Sequence, residues 1–266
     1  GARRFQLEKI GNQLALKTHG TVLRINMNNL AHNLNIYRAM LNPGVKTMAM
    51  LKAFSYGSGQ AEIARLLANQ RVDYLAVAYA DEGADLRRQG IRLPIMVMNP
   101  EPETFDQLKQ YQLEPEIYSI EILKAFIQSI GKDDASIHIK IDTGMHRLGF
   151  VENDIPELLV LLKSHQHIRV ASIFSHLAGA DENKHDNFSE HQITLFNKIA
   201  SSIQTTLGYQ PLRHILNSSG ISRMPHAQFD MVRLGIGLYG VDPSAVLQNT
   251  LLPVGTLQTN IAQIHD

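Results

Sequence analysis

The stretch Thr47-Met-Ala-Met-Leu-Lys-Ala-Phe-Ser-Tyr-Gly-Ser-Gly59 passes from an apolar strand into a lysine, then a tyrosine and two glycines. A side chain at the C-terminal end of a barrel strand points into the mouth of the barrel, and a glycine-rich turn leaves backbone N–H groups free to face an anion. Lys52 in that place has the layout of an aldehyde-binding amine. Such an amine can form a Schiff base with pyridoxal phosphate (PLP), whose ring stores the electrons of a broken bond. The plain alternative is a solvated lysine at a strand end.

Four later segments put further polar groups at strand ends. In Lys140-Ile-Asp-Thr-Gly-Met-His-Arg147-Leu-Gly149, two glycines bracket a loop that can present Arg147 to a phenolate or a carboxylate. Alternation points Lys140 and Asp142 to one side, and an inward lysine paired with a nearby acid is the competing reading for Lys140. In Ser172-Ile-Phe-Ser-His176-Leu-Ala-Gly-Ala-Asp181-Glu182, His176 closes a strand, where a neutral imidazole can orient a guanidinium; Asp181 and Glu182 read as solvated. Asn217-Ser-Ser-Gly220 links a strand to a short helix, so the Ser218 hydroxyl and the first amides suit an anion. Met231-Val-Arg-Leu-Gly-Ile-Gly-Leu-Tyr-Gly240 adds the Gly235 and Ile236 amides, with Arg233 two residues earlier. Serine as a helix cap and glycine as a turn residue would explain the last two segments without a ligand.

What positions these groups is an alternation of short Val/Ile/Leu/Met runs with longer amphipathic stretches, the pattern of repeated βα units. Strands are expected near Thr21–Met27, Lys46–Leu51, Tyr74–Tyr79, Pro94–Asn99, Glu114–Tyr118, Ser136–Asp142, Arg169–Ser175, His214–Asn217 and Val232–Leu238. Helices are expected near Asn29–Leu41, Gly59–Asn69, Glu82–Gln89, Pro102–Gln110, Ile120–Ile130, Asp154–His165, Phe188–Leu207 and Gly220–Met224, the first capped by Asn28 or Asn29. Apolar strands such as Ile95-Met-Val-Met98 imply a parallel sheet buried on both faces. The fold expected is an α/β (β/α)8 TIM barrel, for which 266 residues suffice. The first strand is expected outside the closed sheet. Leu251–Ile264 reads as extended chain with nothing to pair against, the start of a second, β-rich domain. The expected division is a linker or tail of a preceding domain over 1–20, the barrel over 21–243, and the start of a C-terminal β-domain over 244–266.

Charge is balanced, 25 basic against 25 acidic residues, so no basic field invites nucleic acid. Cysteine is absent, which removes disulfides, thiolate metal sites and cysteine nucleophiles, and no metal site is expected. With no apolar run near ~20 residues and no apolar h-region, the reading is a cytoplasmic protein that uses no membrane.

The order of the motifs, Lys-Ala-x-x-Tyr-Gly, Lys-x-Asp-Thr-Gly-Met-x-Arg-Leu-Gly, Ser-His-x-x-x-Ala-Asp, Asn-Ser-Ser and Val-Arg-x-Gly-Ile-x-x-Tyr-Gly, resembles alanine racemase of the fold-type III PLP enzymes over about residues 21–245. The resemblance implies that Lys52 carries the cofactor and serves as one of two acid–base groups. Tyr56, Ser218, Gly235 and Ile236 would hold its phosphate, with Asn217 among the cofactor-binding residues. Arg147 would lie beside the phenolic oxygen, and Arg233, oriented by His176, would face the pyridine nitrogen. Lys140 matches a family lysine that can be carbamylated. The family's common His-Gly after the tyrosine turn appears here as Gly57-Ser58-Gly59, a departure next to the phosphate turn.

The resemblance further implies interconversion of L- and D-alanine for peptidoglycan synthesis by a homodimer. The second base would be a tyrosine from the partner's β-domain, so these 266 residues alone are expected to be inactive. Phe5–Gly20 resembles the junction of a racemase fused behind a D-alanyl-D-alanine-adding ligase. The rival reading is a non-enzymatic single-barrel PLP carrier, which leaves the Asp-Thr-Gly-Met-x-Arg pattern unexplained.

Overall fold

The computed structural model describes residues 20–265, so the expectations for the N-terminal linker and ligase junction fall outside the described residues, Gly20 apart. Eight parallel strands form one sheet in the order β8-β7-β6-β5-β4-β3-β2-β9. They are β2 (Lys46–Met50), β3 (Tyr74–Val77), β4 (Ile95–Val97), β5 (Glu114–Ile117), β6 (Ala135–Lys140), β7 (Ile168–Phe174), β8 (Leu212–His214) and β9 (Met231–Leu234). The two ends of that order meet: Asp230 N–H donates to Arg213 O at 3.0 Å and Arg233 N–H to Leu216 O at 3.1 Å, which closes the barrel. Helices α1 (Met27–Arg38), α2 (Gln60–Asn69), α3 (Ala80–Arg88), α4 (Phe105–Gln110), α5 (Ile120–Ile130), α6 (Ile155–Ser164), α7 (Asp186–Leu207) and α8 (Ser218–Arg223) follow or precede the strands in the order the alternation predicts.

Strand alternation divides the core in two. Ala49, Leu75, Val77, Ile95, Val97, Ile117, Ile137 and Ile139 face outward against the helices. Met48, Met50, Ala76, Met96, Phe174 and Met231 fill the barrel interior. The interior also holds buried polar groups, Glu116, His138, Lys140, Ser172, His214 and Arg233. Buried polar atoms require partners, and here those partners come from neighbouring strands.

Three local expectations are corrected. The cap of α1 is Asn26, whose side chain accepts from the Asn28 and Asn29 amides, because Met27 already has helical backbone. Leu41 lies beyond the helix, while Leu30, Leu34 and Tyr37 form the buried stripe. The expected ninth strand of the order, Val232–Leu238, ends at Leu234 and gives way to a 3-10 turn over Ile236–Tyr239.

β1 (Val22–Ile25) stands outside the barrel sheet, as expected, but the extended C-terminal segment does find a partner. β10 (Gly255–Gln258) pairs antiparallel with β1, Val22 opposite Gln258 and Ile25 opposite Gly255. Buried Asn33 of α1 ties this ribbon to the barrel by donating to Leu238 O and Leu252 O and accepting from the Leu252 amide. Among the described residues, no helix is long and apolar enough to cross a membrane.

Candidate active site

The apolar strand β2 ends where Lys52 begins a single turn, Lys52–Tyr56, and that turn is left-handed. Ala53, Phe54, Ser55 and Tyr56 have φ between 53° and 55°, and Gly57 continues at 80°. Non-glycine residues avoid this region because Cβ crowds the carbonyl. Bonds from neighbours hold it: Ser55 N–H to Leu51 O, Gly57 N–H to Ala53 O, and Phe54 N–H to the Glu82 carboxylate of α3 at 3.4 Å. The result is a lysine at the barrel mouth with Tyr56 folded back beneath it, Nζ lying 5.9 Å from the tyrosine ring. Tyr56 in turn leans on Tyr239, ring centroids 4.8 Å apart. Burial raises the Tyr56 hydroxyl above its ordinary range, so it stays a neutral hydrogen-bonding group.

Arg147 sits on a loop pinned to the end of β6. Phe150 N–H donates to Lys140 O and Asp142 N–H to Phe150 O, while the Asp142 carboxylate accepts from the Gly144 and His146 amides. Gly149, at φ 131°, makes that return possible: a Cβ there would lie 2.5 Å from the Asp142 nitrogen. Gln192 of α7 braces the loop against its neighbour by bonding both Thr143 Oγ1 and His176 O.

Arg233 is buried at the end of β9 and held on all sides. Nη1 donates to His214 Nδ1 at 2.7 Å and to His214 O; Nη2 donates to Ser175 O at 2.7 Å, Ile215 O at 3.1 Å and His176 Nδ1 at 3.2 Å. Among the described residues, none accepts from its Nε–H. Burial draws the guanidinium down to about 10, which still leaves it charged at neutral pH. Burial and the cations Arg233, Lys140, Arg147 and Lys52 push His176 down to about 3, so its ring is neutral and accepts from Arg233 through Nδ1. His214, which lies closer to Arg233 than His176 does, was not marked by the sequence motifs. Its only signal is position, an inward-facing residue on a strand adjoining that of Arg233.

The Asn217-Ser218 segment differs from its reading as a set of free amides. Asn217, not Ser218, caps α8 through the Gly220 amide, and the Ser218 hydroxyl accepts from Gly235 N–H at 3.1 Å and Gly237 N–H at 3.3 Å. The Gly235 amide is therefore engaged. Gly235 serves by lacking a side chain, since a Cβ would come 2.8 Å from the Tyr56 hydroxyl.

These pieces meet at one cavity of ≈ 230 Å³ at the C-terminal ends of the strands. Lys52, Tyr56, Arg147, His176, Asn217, Ser218, Arg233, Gly235 and Ile236 all line it, joined by Asp181. Lys140 does not line it. Its Nζ lies inside the barrel, 3.4 Å from Glu116 Oε1 and 5.1 Å from the Phe174 ring centre.

Among the described residues, none hydrogen-bonds either Glu116 oxygen, and burial raises Glu116 to about 7 against the pull of Lys140. Burial also lowers Lys140. Between pH 4.5 and about 7 the folded chain thus holds a proton on Glu116 that the unfolded chain has lost. Stability from this group is fully present below that window and falls as pH rises through it, by up to roughly 3 kcal/mol. Glu116→Gln should flatten that slope in urea titrations taken across the window; parallel wild-type and variant curves would show that Glu116 ionises earlier.

Comparison with known proteins gives one consistent result. Residues 25–243 match the family model "Alanine racemase, N-terminal domain". The chain is 35% identical over 251 residues to an alanine racemase of Clostridium novyi, covering 90% of this chain and 63% of that protein. It is 30% identical over 249 residues to alanine racemase 1 of Caldanaerobacter subterraneus, covering 92% and 64%. A solved alanine racemase of Clostridium difficile 630, in complex with cycloserine, superposes with a TM-score of 0.87 at 31% identity over 94% of this chain and 70% of that one. The chain thus spans somewhat less than two thirds of the curated relatives it matches. With the barrel, the motif order and the matched span in agreement, the chain belongs to the alanine racemase family, through that family's N-terminal domain.

Proposed function

We propose that this chain is the PLP-binding barrel of an alanine racemase, which interconverts L- and D-alanine in the cytoplasm for peptidoglycan synthesis and works as a homodimer. The observation that carries the reading is the single cavity into which Lys52, Arg147, His176, Ser218 and Arg233 converge from widely separated parts of the chain. The residues present suit PLP. The Lys52 amine has no hydrogen bond or ion pair among the described residues, the Tyr56 and Ser218 hydroxyls and the Ile236 amide gather near Gly235, and Arg233 keeps its Nε–H for a ligand acceptor. When bound, PLP supplies an electron-withdrawing ring that makes the amino acid's α-proton removable.

The chain's own groups do the rest. Lys52 takes or returns the α-proton on one face, and a second acid–base group, supplied by the partner subunit, serves the other. Arg147 offers a fixed fork of donors to an anionic oxygen. Arg233 donates a hydrogen bond yet keeps its proton, so it steadies a ring nitrogen without protonating it. That restraint favours brief deprotonation and return over side reactions that need a longer-lived carbanion. Lys140 stands beneath these groups, where its contact is Glu116, so in this role it supports the site without touching the ligand.

Titration with PLP, borohydride reduction and peptide mapping test the reading. The reduced adduct should be found on Lys52. Its recovery on Lys140 or Lys46 would overturn the assignment.

A further inference from the structure

A line of hydrogen bonds crosses the barrel interior from Arg233 to the opposite mouth, with one residue from each of five strands. Arg233 Nη1 meets His214 Nδ1 at 2.7 Å, and His214 Nε2 meets Ser172 Oγ at 2.8 Å. Ser172 Oγ meets His138 Nδ1 at 2.6 Å, and His138 Nε2 meets Glu114 Oε2 at 2.8 Å. His214, Ser172 and His138 are fully buried. Glu114 is partly exposed and lines a second cavity of ≈ 450 Å³ among the N-terminal ends of the strands, beside Lys109 and Arg169. The line therefore joins two cavities at opposite ends of the barrel.

The direction of every bond follows from what each group can do. A guanidinium only donates, so His214 Nδ1 carries no proton and His214 Nε2–H donates to Ser172. The hydroxyl proton of Ser172 then has His138 Nδ1 as its acceptor. His138 carries its own proton on Nε2 and gives it to Glu114, a carboxylate that only accepts. A doubly protonated His138 would leave the buried Ser172 proton without an acceptor, an arrangement that buried polar groups avoid. Burial and the adjacent guanidinium hold His214 well below the usual imidazole range, in agreement with a neutral ring.

We infer that Glu114, at the mouth opposite the site, is a positioning residue that fixes the proton order of this line and thereby strengthens His214 Nδ1 as the acceptor that holds Arg233. Successive donors polarise one another, so an anion at the far end raises the accepting power of the ring at the near end. A carboxylate that fixes a histidine's tautomer through its second nitrogen acts in the same manner in triads and metal sites. If the far acceptor is lost, His138 is free to carry its proton on Nδ1. The Ser172 hydroxyl then loses its acceptor and turns toward His214 Nε2, against the order that Arg233 requires.

The proton order does not depend on the racemase reading; its effect on turnover does. Ring nitrogen signals of the histidines in ¹⁵N-labelled protein report each tautomer directly, with or without PLP. The wild type should show His138 and His214 protonated on Nε2 alone. Glu114→Leu should shift His138 to an Nδ1-protonated form and move the His214 Nδ1 signal. Ser172→Ala cuts the same line nearer the site, so it should move the His214 signal while His138 stays protonated on Nε2. In the active enzyme, Glu114→Leu should lower kcat by about 10–100-fold, the usual cost of losing such an outer partner. KM for alanine should change less. A doubly protonated His138 in the wild type, or a His214 signal unmoved in either folded variant, would overturn the inference. Ser172→Ala keeps the test open should Glu114→Leu not fold. Normal tautomer shifts together with an absence of racemisation in the full-length wild-type enzyme would instead remove the racemase reading.

Discussion

On the proposed racemase reading, Lys52→Ala in the full-length enzyme should reduce alanine racemisation by at least about 10²–10⁴-fold, the range over which a positioned acid–base group contributes. The fold should scarcely notice. Lys52 is exposed at the barrel mouth, lies 5.9 Å from the Tyr56 ring centre, and makes no hydrogen bond or ion pair among the described residues. Substitutions at such places usually change stability by less than about 0.5 kcal/mol. The check is a racemisation assay beside a urea unfolding curve on the same preparation. A folded variant that retained wild-type turnover would remove Lys52 from the chemistry, and a variant that unfolded early would assign it a structural role that its surroundings do not show.

Arg233→Leu should do the reverse, costing about 3–5 kcal/mol of stability, as when one partner of a buried charged network is removed. The leucine leaves His214 Nδ1, His176 Nδ1 and the carbonyls of Ser175, His214 and Ile215 without their donor. Each buried group left unpaired costs about 1–3 kcal/mol, and relief of guanidinium burial offsets part of the sum. Arg233→Lys should fall between, because an ammonium supplies three donors but not the planar fork that reaches five acceptors at once. The urea midpoint reads both variants. An unchanged midpoint for folded Arg233→Leu would mean that other donors reach those acceptors.

The sequence made the barrel legible because its strands are nearly continuous apolar runs and its helices carry period-3.6 stripes, signals that do not depend on long-range partners. Lys52 and His176 were legible as polar residues at strand ends and Arg147 as an arginine on a loop between glycines, whereas the role of Arg233 came from the order of the motifs. The partners inside the barrel were not. His138 and Glu114 occupy ordinary alternating positions on their strands, and only the stagger of neighbouring strands brings them into line with Ser172 and His214. Pairing of β1 with β10 joins segments more than two hundred residues apart, a distance over which local pattern carries no information. The reading of Gly235 as a free amide failed for a related reason, since the hydroxyl that occupies it comes from another strand's loop.

The left-handed turn after Lys52 sets the reactive amine's position against the grain of the polypeptide. Four successive non-glycine residues in that region cost roughly 1–2 kcal/mol each, on the order of 4–8 kcal/mol together. A peptide of the same sequence cut from the protein would relax into right-handed or extended forms, and its lysine would point elsewhere. The address of the amine is therefore written in the surrounding barrel, above all in Glu82 and the end of β2, and transplanting residues 47–59 into another loop would carry the side chains but not the place where they act.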